Sequence, residues 1–481
     1  MISLLLLIAC TGKDGLSNPQ CTDGFLQFQE SDLTTVGRNR YTPYHNEGPN
    51  VAAFDWDQDG DIEIFQCFID DPLLVYDGTA ISTVINKCGA MGVIDWNQDG
   101  LLDLIIEDQV NELKRSSKLL WLENTGGALQ LSHKSHLGPD QIHNIRIADL
   151  DGDDLPDIYL AILGESENQT DRNRILFSSE NYEVSDYLDE AFNSRKTFDS
   201  VIADFNNDGW FDVMDANDRG GEFGGNVLWV NDQGNFEAED SCNCLPRQDS
   251  MGIDVADINR DGWFDVVSGD AKQTYLLIND GTGGFIDVSQ AWGAAQMDDY
   301  EMSWGVRLLD VNNDGGVDIV SAQGDHTYPG LSEPEYEGPL ELSVLQQTPD
   351  GFVERAQDWG WTALGSFRSV LPLHWNDDGV LDYWITDVEE PPTLLVSNGC
   401  SEGNWLHFLG PNGTMVKVTQ GEIQWTGMIH GQSSYGVNRS PHWHVGLGGI
   451  QTIDRIEIRL PNQDWILWNE SVPTNQHLTV P

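Results

Sequence analysis

Positive charge is what this 481-residue chain has least of. It carries 24 Lys and Arg against 79 Asp and Glu, a formal net charge of −55. That balance excludes nucleic acid, whose backbone is also anionic, and opposes binding to anionic membrane surfaces. Long apolar runs are also missing. The run from Leu4 to Ala9 is far too short to span a bilayer, and no other segment reads as transmembrane. Enzyme signatures are absent as well: there is no His-Glu-x-x-His, no Gly-x-Ser-x-Gly and no Walker loop. The glycine-rich "GLGG" at Gly446 does not complete a dinucleotide fingerprint.

Cysteine is scarce, seven in all. The N-terminal "MISLLLLIAC" reads as a short secretory h-region, and "LIAC" resembles a bacterial lipobox. On that reading residues 1–9 are a lipoprotein signal, Cys10 is lipidated, Thr11 follows it, and residues 10–20 are a polar tether. The expected location is extracytoplasmic, lipid-anchored to a bacterial outer membrane or cell surface, with plain secretion as the alternative. Six cysteines remain, an even number that suits an oxidising compartment. Cys67 and Cys88 bracket the short first repeat. Cys242 and Cys244 either pair with each other or stay reduced.

What is abundant is a repeated acidic phrase. In "ADINRDGWFDVVSGD", Asp257, Asn259, Asp261 and Asp265 occupy positions 1, 3, 5 and 9 around Gly262, and Trp263 at position 7 offers a carbonyl. Calcium takes six to eight oxygens from such alternating positions, with a glycine at the sharp turn. The first half resembles an EF-hand loop, but position 12 is Ser268 and the flanks are short and β-branched, so the loop belongs in a β-hairpin. A single copy is equally compatible with a metal-free polar turn.

The phrase recurs. It starts at Asp55, Asp95, Asp149, Asp204, Asp257, Asp310 and, degenerately, His374, with spacings of 40, 54, 55, 53, 53 and 64 residues. Such a series points to calcium. The predicted ligand sets are Asp55, Asp57, Asp59, Asp61 and Glu63; Asp95, Asn97, Asp99, Leu101 and Asp103; and Asp149, Asp151, Asp153, Leu155 and Asp157, where Asp154 replaces the glycine. They continue with Asp204, Asn206, Asp208, Trp210 and Asp212; Asp257, Asn259, Asp261, Trp263 and Asp265; and Asp310, Asn312, Asp314, Gly316 and Asp318. The last set keeps only Asn376, Asp378 and Asp382, because His374 replaces the first hard ligand; imidazole suits zinc or copper better, so this loop is expected to be weak or empty for calcium. Up to six or seven Ca2+ are expected. Positions 1, 3, 5 and 9 of the loops hold 22 carboxylates, and seven calcium ions would bring the charge from −55 only to about −41.

Each repeat reads as four strands, as in "MGIDVADI", "WFDVVSGD", "TYLLIND" and "GGFIDVSQ", which makes a seven-bladed β-propeller the expected all-β fold. A solenoid is the competitor, although no polar capping repeats are visible. The final repeat lacks its fourth strand. "DGFLQFQES", Asp23 to Ser31, matches that strand, so 23–31 is expected to pair with the 368–400 repeat and close the ring. The same register places Cys21 opposite Cys400 and predicts a disulfide between them. The propeller is thus 21–400 and a small β domain follows at 401–481.

The repeats resemble FG-GAP/VCBS repeats, the calcium-loop blades also found in integrin α-subunit heads, over about 380 residues. The tail resembles the ASPIC/UnbV domain through "NWLHFLGPNGT" from Asn404, "GQSSYG" from Gly431, "HVGLG" from His444 and "IDRIEIRLP" from Ile453. Leu460-Pro461-Asn462-Gln463 lacks the glycine usual in that family's terminal turn. Together this is the layout of the cartilage-acidic-protein-like family. The resemblance implies an extracytoplasmic calcium-binding protein and no reaction.

The expected function is therefore non-catalytic binding or adhesion at the cell surface, toward an extracellular protein or glycan, with membrane contact only through the lipid anchor. A polysaccharide lyase on a calcium-stabilised propeller is the alternative. Trp210 and Trp263 are expected near solvent, where their faces suit sugars or a protein partner. His442 and His444 share a strand face and read either as packing against Trp443 or as a two-histidine metal site.

Overall fold

The computed structural model describes residues 26–31, 50–67, 73–77, 81–83, 88–109, 117–138, 142–163, 172–183, 188, 196–218, 220, 224–239, 242–244, 248–270, 273–295, 302–324, 339–388, 390–401 and 403–481. Cys10, Cys21, the signal and the tether lie outside them.

The chain builds antiparallel sheets in sequence order. Four-stranded sheets start at Met91–Ile94, Lys196–Ala203, Ser250–Ala256 and Met302–Leu309. Between the first two of these lies a sheet whose described strands are Ile142–Ala148, Asp157–Ile162 and Arg174–Leu176; most of 184–195, where the expected fourth strand would fall, lies outside the described residues. The first strands of successive sheets lie against one another around a common axis. They are rich in Val, Ile and Leu and buried on both faces, for example Ser250–Ala256 and Met302–Leu309.

The ring closes between its ends. Phe28–Ser31 pairs antiparallel with Thr393–Ser397, as Phe28 with Ser397 and Ser31 with Leu394. It thereby becomes the fourth strand of the sheet formed by Phe367–Leu373, Asp382–Asp387 and Thr393–Ser397. That sheet packs on the first one in the chain, Val51–Phe54, Glu63–Gln66, Leu74–Tyr76 and Ile81–Thr83, with Leu371, Trp375 and Trp384 against Val51, Ile64 and Tyr76. Burying these side chains leaves no open solenoid end on either sheet.

The C-terminal residues form a β domain of seven strands, from Asn404–Leu409 to Gln476–Thr479. It is not an appendage. Strand Val437–Gly448 pairs in parallel with Val51–Phe54, joining the domain to the propeller's first sheet.

The turn just before that strand enters the centre of the ring. Five first strands carry a β-bulge, including one between Thr197 and Asp199 and one between Ser303 and Gly305. The turn at 432–436 binds there. Gln432 bonds both the N–H and the C=O of Ile202 through its amide, and Val306 N–H donates to Ser434 Oγ at 2.9 Å. Ser369 Oγ donates to the Tyr435 carbonyl, and Val51 N–H to the Gly436 carbonyl. Gly252 allows this approach, because a Cβ there would lie 2.4 Å from Ser434 Oγ. Tyr435 is 1% exposed, so the channel is filled by protein.

Candidate metal loops and the domain junction

The first, second, fourth, fifth and sixth loops are folded by the same hydrogen bonds, and the third differs only in that Asp149 accepts from Gly152 in place of position 5, which explains why the acidic spacing is so regular. Position 1 accepts two backbone N–H groups, as Asp257 does from Asp261 and Gly262, and Asp95 from Asp99 and Gly100. Position 5 accepts from the N–H of position 7: Asp261 from Trp263, Asp314 from Gly316, Asp99 from Leu101. Position 6 needs a left-handed backbone, which Gly262 takes at φ +87°. In the third loop Asp154 takes it at +65°, and Gly152 two residues earlier is also left-handed, at +80°.

Position 9 is also a staple. Both oxygens of Asp265 accept backbone N–H groups, one from Ile258 in the loop and one from Asn279 at the end of the third strand. Asp103, Asp212, Asp318 and Asp382 accept in the same way from that third strand, and Asp157 from Ser178 just beyond it. Where position 3 is Asn, its amide donates to the position-5 carboxylate, as Asn97 to Asp99, Asn206 to Asp208, Asn259 to Asp261, Asn312 to Asp314 and Asn376 to Asp378.

Three carboxylates converge within 4.8 Å of one another in Asp55, Asp57 and Glu63, and again in Asp149, Asp151 and Asp157. Burial, with repulsion from loop neighbours, pushes Glu63 and Asp265 up to about 8 and Asp257 and Asp157 up to about 7. Burial and the neighbouring loop carboxylates hold Asp310 and Asp318 well above the usual range. Hard oxygens crowded at rising electrostatic cost fit a hard divalent cation. The last loop departs from this, because His374 stands where the first carboxylate should be and lies against His407 of the C-terminal domain, ring centroids 4.2 Å apart.

Several contacts at these loops gave no local signal. Arg459 donates to Asp204 at 2.6 Å, so the C-terminal domain supplies a cation to the fourth loop. Asn231 Nδ2 donates to the Leu150 carbonyl in the preceding loop and to Phe211 in its own, and Asn279 and Asn124 do the same. The recurring Asn in "WLEN", "WVN" and "LIN" was the available sign of this bridge between sheets.

Trp210 and Trp263 are half-buried rather than free at the surface. Trp210 lies over Gly152 of the previous loop, 2.6 Å from where a Cβ would sit, and Trp263 lies over Gly281. Their faces fill gaps between turns, a correction to the expectation of open aromatic faces. Cys67 is bonded to Cys88, and Cys242 to Cys244. Cys400 is also disulfide-bonded; its expected partner Cys21 lies outside the described residues.

A cleft of about 800 Å³ opens between the second and third loops and the C-terminal domain. Its wall includes Gln98, Leu155, Pro411 and Gln463, with Asp95, Asp149 and Asp154 as its only ionisable residues among those described. The Leu460–Gln463 turn beside it forms without the missing glycine, because Asn462 adopts φ +57°.

A family profile described as FG-GAP-like repeat matches residues 95–160, 204–268 and 257–321, and one described as ASPIC and UnbV matches 411–481. No curated protein sequence matches the chain. Among solved structures it is similar to BBS1N in its complex with ARL6DN, at 10% identity over 76% of this chain and 96% of that one, TM-score 0.47. A Bacillus licheniformis rhamnogalacturonan lyase, PL11, aligns at 12% identity over 78% and 76%, TM-score 0.45. An Agrocybe aegerita lectin specific for non-reducing terminal N-acetylglucosamine aligns at 16% over 66% and 82%, TM-score 0.40. The chain therefore carries FG-GAP-like repeats, folded as a β-propeller, followed by a C-terminal ASPIC/UnbV domain.

Proposed function

We propose that this protein is an extracytoplasmic, calcium-loaded binding protein without catalytic activity, which takes an extracellular glycan or protein in the cleft between its loops and the ASPIC/UnbV domain. One observation carries the reading. The ionisable groups that line the cleft, Asp95, Asp149 and Asp154, all belong to the loops, and no His, Lys, Arg, Cys or Glu accompanies them. Calcium commits Asp95 and Asp149 as ligands, so neither serves as acid or base. What remains is one exposed carboxylate, Asp154, at the edge of a wall of amide, proline and apolar groups, suited to recognition. The buried acids elsewhere are locked into structure: Asp199 with Arg146, Asp254 with Arg307, and Asp215 with Ser200, Tyr159 and Trp229.

The test is a glycan and protein array probed with the calcium-loaded chain and with chelated protein, followed by Gln463→Trp to fill the cleft. Saturable binding that needs calcium and falls in Gln463→Trp supports the reading. Turnover of any arrayed polysaccharide overturns it. The lipid anchor is tested separately: Cys10→Ser should move the protein from the membrane fraction to the soluble one.

A further inference from the structure

The C-terminal domain places three histidines in one row. His407 sits in the strand Asn404–Leu409, and its register partner on one side is His444, on the other His477. The fourth comes from the propeller: His374, at the loop position where the other repeats have Asp. Its ring centroid lies 4.2 Å from His407, 5.1 Å from His444 and 5.5 Å from His477, and His407 lies 4.9 Å from His477. Across a junction between two domains, four imidazoles converge.

Their nitrogens are poorly satisfied. Both ring nitrogens of His374, Nε2 of His407 and Nδ1 of His444 are buried without a hydrogen-bond partner, and His407 is 5% exposed. Packing alone would be better served by apolar side chains, since unpartnered buried nitrogens are costly. Where outer partners exist, they fit ligand histidines. His444 Nε2 is 2.7 Å from Asn313 Oδ1, and Asn313 Nδ2 in turn donates to the Gly379 carbonyl, which fixes the amide so that Oδ1 accepts. His477 Nε2 is 3.0 Å from Asp377 Oδ1. Both rings thus donate outward through Nε2, the arrangement by which outer groups orient metal-binding imidazoles; His444 keeps its Nδ1 lone pair for the cluster, while His477 Nδ1 meets His407 Nδ1 at 2.7 Å, a contact whose shared proton an ion would displace. Burial, reinforced by the neighbouring histidines, holds His374 and His407 well below the usual range and therefore neutral, the form that binds a metal.

We propose that His374, His407, His444 and His477 form a transition-metal site, chemically separate from the calcium loops, that clamps the ASPIC/UnbV domain to the sheet closing the propeller. Imidazole ligands select ions such as Zn2+, Cu2+ or Ni2+ over Ca2+ and Mg2+. Three ligands belong to the domain and one to the ring, so the ion joins the two.

The experiment uses the full chain, stripped with chelator and returned to millimolar Ca2+, then titrated with ZnCl2 and, in parallel, CoCl2. One equivalent of Zn2+ that calcium does not displace, and a visible Co2+ ligand-field spectrum, are expected. His407→Ala and His444→Ala should each weaken Zn2+ binding more than about 100-fold, and Asp377→Asn, which keeps all four ligands, about tenfold. His136→Ala, on an exposed strand, should change nothing. Should His407→Ala fail to fold, the wild-type stoichiometry and the Asp377→Asn affinity still decide. Absence of a tightly bound equivalent in the wild type, or its survival in His407→Ala and His444→Ala, overturns the proposal.

Discussion

Tyr435, at the tip of the turn that fills the channel, donates its backbone N–H at 2.6 Å to the carboxylate of Asp199, 236 residues earlier in the chain. Asp199 also accepts from Asn144 Nδ2 at 2.7 Å, from its neighbour Ser200 N–H and from the guanidinium of Arg146. With Ile253 N–H as a further donor, this one fully buried carboxylate holds three sheets' inner strands and the C-terminal domain.

Asp199→Ala should be among the most damaging single changes. It leaves the Arg146 charge buried without its carboxylate, which costs about 3–5 kcal/mol. Breaking the exposed Arg355–Asp358 pair with Asp358→Ala should cost less than about 1 kcal/mol. Denaturant unfolding of both variants checks the contrast, and similar losses would refute the assigned role.

Calcium should raise the melting temperature steeply, and magnesium much less, because Mg2+ wants a tighter octahedron. Each site at 100 times its Kd adds about 2.7 kcal/mol. Asp261→Ala should remove more of this gain than Asn376→Ala, whose loop has already lost its first carboxylate. Equal melting in calcium and in chelator would sink the calcium assignment.

His143 should make the protein acid-sensitive. Its Nδ1–H donates to the Phe198 carbonyl at 2.6 Å, and burial pushes the ring down to about 4 from its ordinary 6.5. The folded pKa is depressed, so the neutral ring's contribution is fully present above pH 6.5 and is lost as pH falls toward 4, by up to about 3 kcal/mol. His143→Phe should flatten that part of the pH profile, measured by urea unfolding at saturating calcium.

Asn231→Leu should destabilise by about 1–3 kcal/mol, because the Leu150 and Phe211 carbonyls lose their buried donor. Asn235→Ala, at the exposed start of the strand Asn235–Ala238, serves as the control. A cost for Asn231→Leu no larger than the control's would show that the bridge between sheets contributes nothing.

A non-reducing peptide map should link Cys400 to Cys21. Closing a loop of nearly 380 residues stabilises by about 5 kcal/mol on the chain-entropy account, and Cys400→Ser should correspondingly let the strand Phe28–Ser31 exchange its amides faster. A map that links Cys400 to Cys10 instead would remove the basis of the closure argument.

The repeat, the loops and the ring's closure were legible in the sequence because each is a local pattern repeated in register. Asp257, Asp261 and Gly262 are neighbours whose hydrogen bonds run over two to five residues, so their spacing is their geometry. The strand at Phe28–Ser31 could be matched to its sheet because its wording copies the other fourth strands. What the tertiary structure alone decided are contacts between segments that share no pattern. Arg459 meets Asp204 across 255 residues, and Gln432 mimics a strand beside Ile202 across 230. His442 and His444 read as a strand face, yet His407, His477 and His374 reach His444 only through strand order and domain docking, which no local spacing encodes. Short-range hydrogen bonding leaves its mark in composition and period. Burial of a charged or aromatic side chain against a distant strand depends on how the sheets stack, and that is settled only when the whole ring has closed.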